Sequence, residues 1–265
     1  MLRYRLIFGT LMTLAFVAIV LLDKSGLLLI GLVALLEIAG LFELSKLASS
    51  KNIKILLPVS IPASILLSTS PYWLERFSLF LFLLAFSVMM CFLYHRVRYG
   101  ISGVLANCGG ACFSIIYLGL LACFVPAVRI EFGPWRLLTL IFVVKCSDIG
   151  AYTFGRLFGK HKFSPVISPN KTWEGMAGAV VFAVLIAVAF VVFCDIMSWW
   201  LGVVFGVVFA FLGQLGDLAE SMLKRDAEKK DASNNVPGFG GILDVVDSIL
   251  IAAPFGYLFF LLVAG

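Results

Sequence analysis

Charge is scarce in this chain. Of its 265 residues only 13% are Asp, Glu, Lys or Arg, and 62% are hydrophobic, whereas ordinary soluble domains carry about 25% charged residues. Mean hydropathy is +1.09. No stretch is polar enough to form a soluble domain, although the length alone would allow one or two. Cysteine motifs are lacking as well. Cys91, Cys108, Cys112, Cys123, Cys146 and Cys194 lie in apolar stretches without C-x-x-C spacing, so neither a disulfide framework nor a zinc site follows. Cys108 and Cys112, one helical turn apart, read as small packing residues. No internal repeat is visible, so the inverted-repeat signature of many secondary transporters is not evident. The net charge of +5 calls for no nucleic-acid partner, because the basic residues are spread over loops where anionic lipid headgroups would meet them.

What is present is a series of apolar runs near the ~20 residues needed to cross a bilayer. They predict an all-α, polytopic integral membrane protein with nine spans, over 6–22, 26–45, 53–70, 77–95, 103–125, 136–154, 175–194, 198–218 and 242–263. Pro58 and Pro62 interrupt the third. The first follows Arg3 and Arg5, as a signal peptide would, but no small-residue cleavage site comes after it. Asp23-Lys24-Ser25-Gly26 leads straight into the next run, so an uncut span is expected. With the amino terminus inside, the inner loops hold Arg3, Arg5, Lys46, Lys51, Lys54, Arg96, Arg98, Arg156, Lys160, Lys162, Lys171, Lys224, Arg225, Lys229 and Lys230. The outer loops hold only Lys24, Arg76, Arg129 and Arg136, and Lys145 lies within a span. The positive-inside rule therefore predicts a cytoplasmic amino terminus. It also puts the polar loops 155–174 and 219–241 on one side, the cytoplasm.

The two halves differ in kind. Up to residue 135 the loops are short, and Glu37 and Glu43 are the only acids within spans. Glu43 reads as the i,i+3 partner of Lys46 near a helix end. Glu37 lies deeper, with no role assigned. From residue 145 onward, acids, Gly and Pro concentrate. Lys145 and Asp148 are one turn apart, either as a structural pair facing neighbouring helices or as part of a site. Gly155-Arg156-Leu157-Phe158-Gly159-Lys160 is a glycine-rich basic turn whose backbone amides suit phosphate. It is not a P-loop, because His161 stands where Ser or Thr is needed and the glycine spacing is too short. Ser168 or Thr172 is placed to cap the next helix, and Lys171 to reach an anionic headgroup.

The eighth span carries Gly202-x-x-x-Gly206 at close-packing spacing, then Gln214, Asp217, Glu220 and Ser221 at its end. Asp217 and Ser221 share a face that Lys224 or Arg225 continues. After Pro237-Gly238-Phe239-Gly240-Gly241 turns the chain, Asp244 and Asp247 share a face at the start of the last span. Helix N-terminal charge complementarity, worth about 0.3–1 kcal/mol per acid, accounts for one exposed acid. It accounts poorly for two on one face with Asp217 on the preceding helix. Three facing carboxylates suit Mg²⁺, which pairs one or two carboxylates with substrate phosphates.

The strip from Ser221 to Ser248 resembles the signature of the phosphatidate cytidylyltransferase (CDP-diacylglycerol synthase) family. Ser221, Leu223, Lys224-Arg225, Lys230-Asp231, Pro237, Gly240-Gly241, Asp244 and Asp247 stand at its spacing. Ser147 to Tyr152 with Gly155-Arg156 resembles a second block of the family. Ile167-Ser168-Pro169 with Lys171-Thr172 and Glu174-Gly175 resembles a third. The resemblance covers about 145–254, and the first half agrees only as a string of spans. Phe239 stands where the pattern has His, Val245 where it has Arg, and Asn170 where Lys is usual. An obligatory acid/base role for that His is therefore not available to this chain.

The resemblance implies transfer of a cytidylyl group from CTP to phosphatidic acid, giving CDP-diacylglycerol and pyrophosphate, at a bacterial inner membrane with the site facing the cytoplasm. With it goes the expectation that Asp217, Asp244 and Asp247, with Ser221, hold one or two cations, Mg²⁺ alone or with a second cation. Lys224, Arg225 and Lys230 would clamp phosphates, and Asp231 would orient a lysine or contact nucleotide. Asp148, Arg156, Lys171, Gly240 and Gly241 would complete the substrate pocket. Residues 136–265 become the catalytic part and 1–135 a scaffold, with CTP, phosphatidic acid, the bilayer and a second copy in a homodimer as partners. A CTP-dependent polyprenol kinase and a cation-coupled transporter are the alternatives. The kinase would release CDP, and the transporter would place its acids near mid-bilayer.

Overall fold

The computed structural model describes residues 2–229, 232–233 and 240–264; Lys230, Asp231 and Phe239 lie outside them. Among the described residues every regular element is helical, apart from isolated bridge residues, among them the antiparallel pair Lys162 and Thr172. The helices are α1 (Leu2–Leu22), α2 (Leu27–Ser49), α3 (Leu57–Thr69), α4 (Phe77–Tyr99), α5 (Val104–Ser114), α6 (Phe124–Phe132), α7 (Pro134–Phe158), α8 (Trp173–Cys194), α9 (Trp199–Asp226) and α10 (Leu243–Ala264). A π-helical segment, Ile115–Leu120, joins α5 towards α6.

Among the described residues seven stretches are long and apolar enough to cross a membrane: α2, α4, the run Val104–Phe132, and α7 to α10. This is a multi-pass helical architecture. Each coincides with an expected span. The expected third span is different, because α3 has 13 residues and a rise of ~1.5 Å per residue. That reaches well short of a ~30 Å hydrocarbon layer. Pro58 lies in its first turn and Pro62 inside it, where proline removes a backbone donor. In α1 the apolar part described is the shorter stretch Gly9–Leu22.

The chain packs as two compact units, Met1–Ile130 with Asp226–Val245, and Glu131–Arg225 with Val246–Gly265. The first has a core of Leu56 with Val59, Ala63 and Leu67 of α3 against Cys91, Cys108, Ala111 and Ile115. Its buried polar groups are mostly paired. Ser68 donates to Glu37 (2.9 Å), Ser114 donates to Ser60 (3.1 Å), and Asn107 accepts the Lys54 amide (2.8 Å). Before α2, Asp23 accepts from the amides of Gly26, Leu28 and Leu29 and from the Ser25 hydroxyl. This satisfies donors that a helix start leaves open. Those bonds, the Ser25 hydroxyl foremost, hold the Asp23 carboxyl below its ordinary range despite its burial.

In the second unit, glycines set how closely helices approach. A side chain at Gly150 would meet the Gly178 carbonyl at 2.4 Å, so α7 and α8 touch backbone to backbone there. Gly206 lies against Val184 in the same way, which gives the expected small-residue spacing its partner, α8. A β-carbon at Gly216 would fall 2.6 Å from Ser248 Cα and 2.7 Å from the Asp247 carbonyl. That contact puts α9 directly against α10 beside two acids.

Candidate active site

Close packing at Gly216 matters because Asp217 follows it on α9 and Asp247 sits across on α10. Glu220 lies one turn beyond Asp217. One carboxylate oxygen from each of Asp217, Glu220 and Asp247 falls within 4.8 Å of the others. Glu220 is fully buried and Asp247 nearly so. Such a set of hard oxygens fits a divalent cation.

Three lysines from three different elements enter the same cluster. Lys171, on the segment before α8, has its Nζ 2.8 Å from Asp217 Oδ2 and donates to the Gln214 carbonyl at 3.1 Å. Lys224 pairs with Glu220 one turn back on α9. Lys145 of α7 lies 3.7 Å from Asp148 and 3.9 Å from Asp247, and donates to the Ser248 hydroxyl at 2.8 Å. Asp148 accepts from Gln214 Nε2 at 3.0 Å and from the Ser248 hydroxyl at 3.4 Å. Four carboxylates thus face three ammonium groups, joined through one amide and one hydroxyl. Partly buried charges persist in this way when each has a counter-ion.

Of the residues singled out from sequence, Asp148, Lys171, Asp217, Lys224 and Asp247 come together here. Ser221 is buried on α9 beside them in sequence. Arg225 donates to the Ile167 carbonyl at 3.2 Å, tying the end of α9 to the segment that carries Lys171. Arg156 contacts the Tyr152 hydroxyl at 3.1 Å on an exposed face of α7. Lys230 and Asp231 lie outside the described residues. Glu220, Gln214 and Ser248 were noted in the sequence without a role. The i,i+3 spacing of Asp217 and Glu220 was the available signal.

The basic turn after α7 differs from its expected use. Its amides at Lys160 and His161 donate to Glu174 Oε2 at 3.1 and 3.2 Å, and His161 Nδ1 lies 2.6 Å from Glu174 Oε1. An internal carboxylate therefore fills the place a phosphate was expected to take. Thr172, not Ser168, caps α8 by accepting the Gly175 amide at 3.1 Å.

The remaining signature residues belong to the first unit. Asp244 Oδ2 accepts the Gly241 amide at 2.7 Å and the Ala232 amide at 3.4 Å. Gly240 has φ +97°, a conformation that L side chains rarely adopt. Glu43 is buried on α2. Its Oε1 accepts from the Ser233 hydroxyl (2.6 Å) and the Ile242 amide (3.0 Å), and its Oε2 from the Leu243 amide (3.0 Å).

The pattern of the cytidylyltransferase family matches residues 3–263. Over 142 residues, 53% of this chain, the sequence is 42% identical to a phosphatidate cytidylyltransferase of Staphylococcus saprophyticus and to one of Staphylococcus epidermidis. It is 40% identical to the protein of that name in Staphylococcus aureus. The aligned part is 54% of each relative, so the chain spans about half the length of the curated relatives it matches. The family match, in contrast, runs through both units and every helix from α2 to α9, and on that ground the chain belongs to the cytidylyltransferase family.

Proposed function

We infer that this protein transfers a cytidylyl group from CTP to phosphatidic acid, giving CDP-diacylglycerol and pyrophosphate for phospholipid biosynthesis. The observation that carries this reading is the interleaving of Asp148, Asp217, Glu220 and Asp247 with Lys145, Lys171 and Lys224 in one cluster. Membership of the cytidylyltransferase family and the names of the staphylococcal relatives support the choice of nucleotide and lipid.

Both substrates are polyanions, and the cluster has the means to receive them. Without substrate each carboxylate keeps an ammonium as counter-ion. An arriving triphosphate competes for those ammonium groups, so Lys145, Lys171 and Lys224 turn to phosphate oxygens, with Arg225 beside them. The freed oxygens of Asp217, Glu220 and Asp247 fit Mg²⁺, and a second cation belongs to the same reading. Mg²⁺ held there would neutralise the nucleotide phosphates and the departing pyrophosphate. Asp244 serves by holding the Gly240-Gly241 turn.

A lipid phosphate has a second pKa of about 6 by analogy with other phosphomonoesters, so its oxygen is already a nucleophile near neutral pH. It attacks the α-phosphorus of CTP. The bridging bond between the α- and β-phosphates breaks, and pyrophosphate leaves with the electron pair. Charge neutralisation and in-line positioning are the main requirements of such a step, which suits a chain with Phe239 where the resembling pattern has His.

The count of basic residues supports a cytoplasmic amino terminus and a site that meets cytosolic CTP at an inner membrane. In this reading residues 1–135 form a scaffold, and a second copy is the partner in a homodimer. The test is pyrophosphate release by purified protein given phosphatidic acid and CTP, with UTP, ATP and dCTP as controls. CTP-dependent release with cytidylyl-lipid as product is expected. Release of CDP with phosphorylated lipid, or ion flux without CTP turnover, would overturn the reading.

A further inference from the structure

The Glu43 carboxylate, on a helix far from the signature in sequence, receives three hydrogen bonds from the described residues of the signature region: one hydroxyl, Ser233, and two backbone amides, Ile242 and Leu243. Those amides open α10, where N–H groups have no partner within the helix and a negative charge is favoured. Glu43 therefore acts as an N-terminal anchor for α10 supplied from about 200 residues away. The same end of α2 receives further parts of the strip. Lys229 donates to the Lys46 carbonyl at 3.3 Å, and Lys51 pairs with Asp226 at 3.5 Å.

Gly241 is part of the same contact. A β-carbon there would lie 2.5 Å from Glu43 Oε2 and 3.0 Å from Ala232 Cβ. The carboxylate occupies the volume that any side chain at 241 would need. The second glycine of the pair is thus required by Glu43, whereas the first, Gly240, is required by its positive φ.

We propose that Glu43 is the positioning residue of the signature: its carboxylate anchors the Gly240-Gly241 turn and the first turn of α10, and so sets the placement of Asp247 one turn further on. This deepens the cytidylyltransferase reading and rests on it. Supporting groups that orient metal-binding residues typically change affinity or activity by ~10–100-fold when removed. Glu43→Ala is expected to weaken Mn²⁺ binding, read by titration of the metal alone, by ~10-fold. It should raise the Mg²⁺ concentration for half-maximal turnover by a similar factor. Amide exchange at Ile242 and Leu243 should speed up.

Gly241→Ala is expected to do the same, because its methyl group displaces the carboxylate. The decisive measurement is the pair. Glu43→Ala with Gly241→Ala should be no worse than the worse single variant, since the two changes break one contact. Glu43→Gln keeps the volume and one acceptor and should fall between wild type and Glu43→Ala, and it carries the test if the alanine variant fails to fold. Unchanged Mn²⁺ affinity and exchange in the Glu43 variants, or fully additive effects in the pair, would overturn the proposal while leaving a CTP-active wild type untouched. A wild-type protein that binds Mn²⁺ without CTP turnover would sink the function alone. One that neither binds nor turns over would sink both.

Discussion

Lys171 Nζ sits 2.8 Å from Asp217 Oδ2, joining the segment before α8 to the acidic end of α9. The lysine side chain is largely buried by this contact, and it donates to the Gln214 carbonyl as well. The pair is positioned to exchange partners when a phosphate arrives: the ammonium can move to the nucleotide and the carboxylate to a cation.

Asp217→Asn and Lys171→Met should therefore fail differently. The asparagine retains the shape of Asp217 but loses the charge, and turnover should drop by ~100-fold or more, the scale of losing one preorganised electrostatic group. Lys171→Met should chiefly raise KM for CTP. Steady-state pyrophosphate release from detergent-purified protein at saturating and limiting CTP separates the two. Near-normal turnover in Asp217→Asn would remove this carboxylate from the chemistry.

Glu220→Gln tests whether the third acid acts on the cation or only on Lys224. A cation role raises the Mg²⁺ requirement by ~10-fold or more. A structural role lowers thermal stability instead, because removing one partner of a buried ion pair leaves the other charge uncompensated. Measuring both the Mg²⁺ titration and the melting temperature of this one variant distinguishes them, and a change in melting temperature alone would dismiss the cation role.

Local patterns were legible in the sequence and long-range pairings were not. Apolar runs located α2, α4 and α7 to α10, since length and hydropathy are properties of a single segment. Helical spacing placed Asp217 and Asp247 on helix faces that the structure brings together. It offered Glu43 only the nearby Lys46, whereas partners of its carboxylate lie 190 to 200 residues away, and it was silent on Gln214 and Ser248, which meet Asp148 from two other helices. The basic turn at 155–160 looked ready for phosphate because its amides were counted without Glu174, which takes that of Lys160 and the adjoining one of His161. For α3, Pro58 and Pro62 signalled an interruption, but its short length emerges only from the folded chain.

Gly216→Ala tests whether the acids depend on helix approach. Its methyl group would overlap the Ser248 backbone at 2.6 Å, forcing α9 away from α10 between Asp217 and Asp247. Overpacking of this kind costs about 1–3 kcal/mol. A lower melting temperature together with weaker Mn²⁺ binding is expected. Gly31→Ala is the control, because nothing lies within 4 Å of a β-carbon there, and both properties should match wild type. Equal behaviour of the two variants would mean that the Gly216 contact does not govern the site.

Asp23 gives a prediction in pH. Its carboxyl is held below the ordinary range by the Ser25 hydroxyl and by the amides of Leu28, Leu29 and Gly26. A depressed carboxylate adds stability above its unfolded pKa of about 3.9, and that contribution fades as pH falls through the lower folded value. Asp23→Ala should therefore melt below wild type at neutral pH, having lost the acceptor at the start of α2. As the pH is lowered through the depressed value, wild type should lose its ionic advantage and the gap should narrow. Thermal melts of both proteins from pH 7 downward test this. A gap that widens on acidification would show that the cap does not act through its charge.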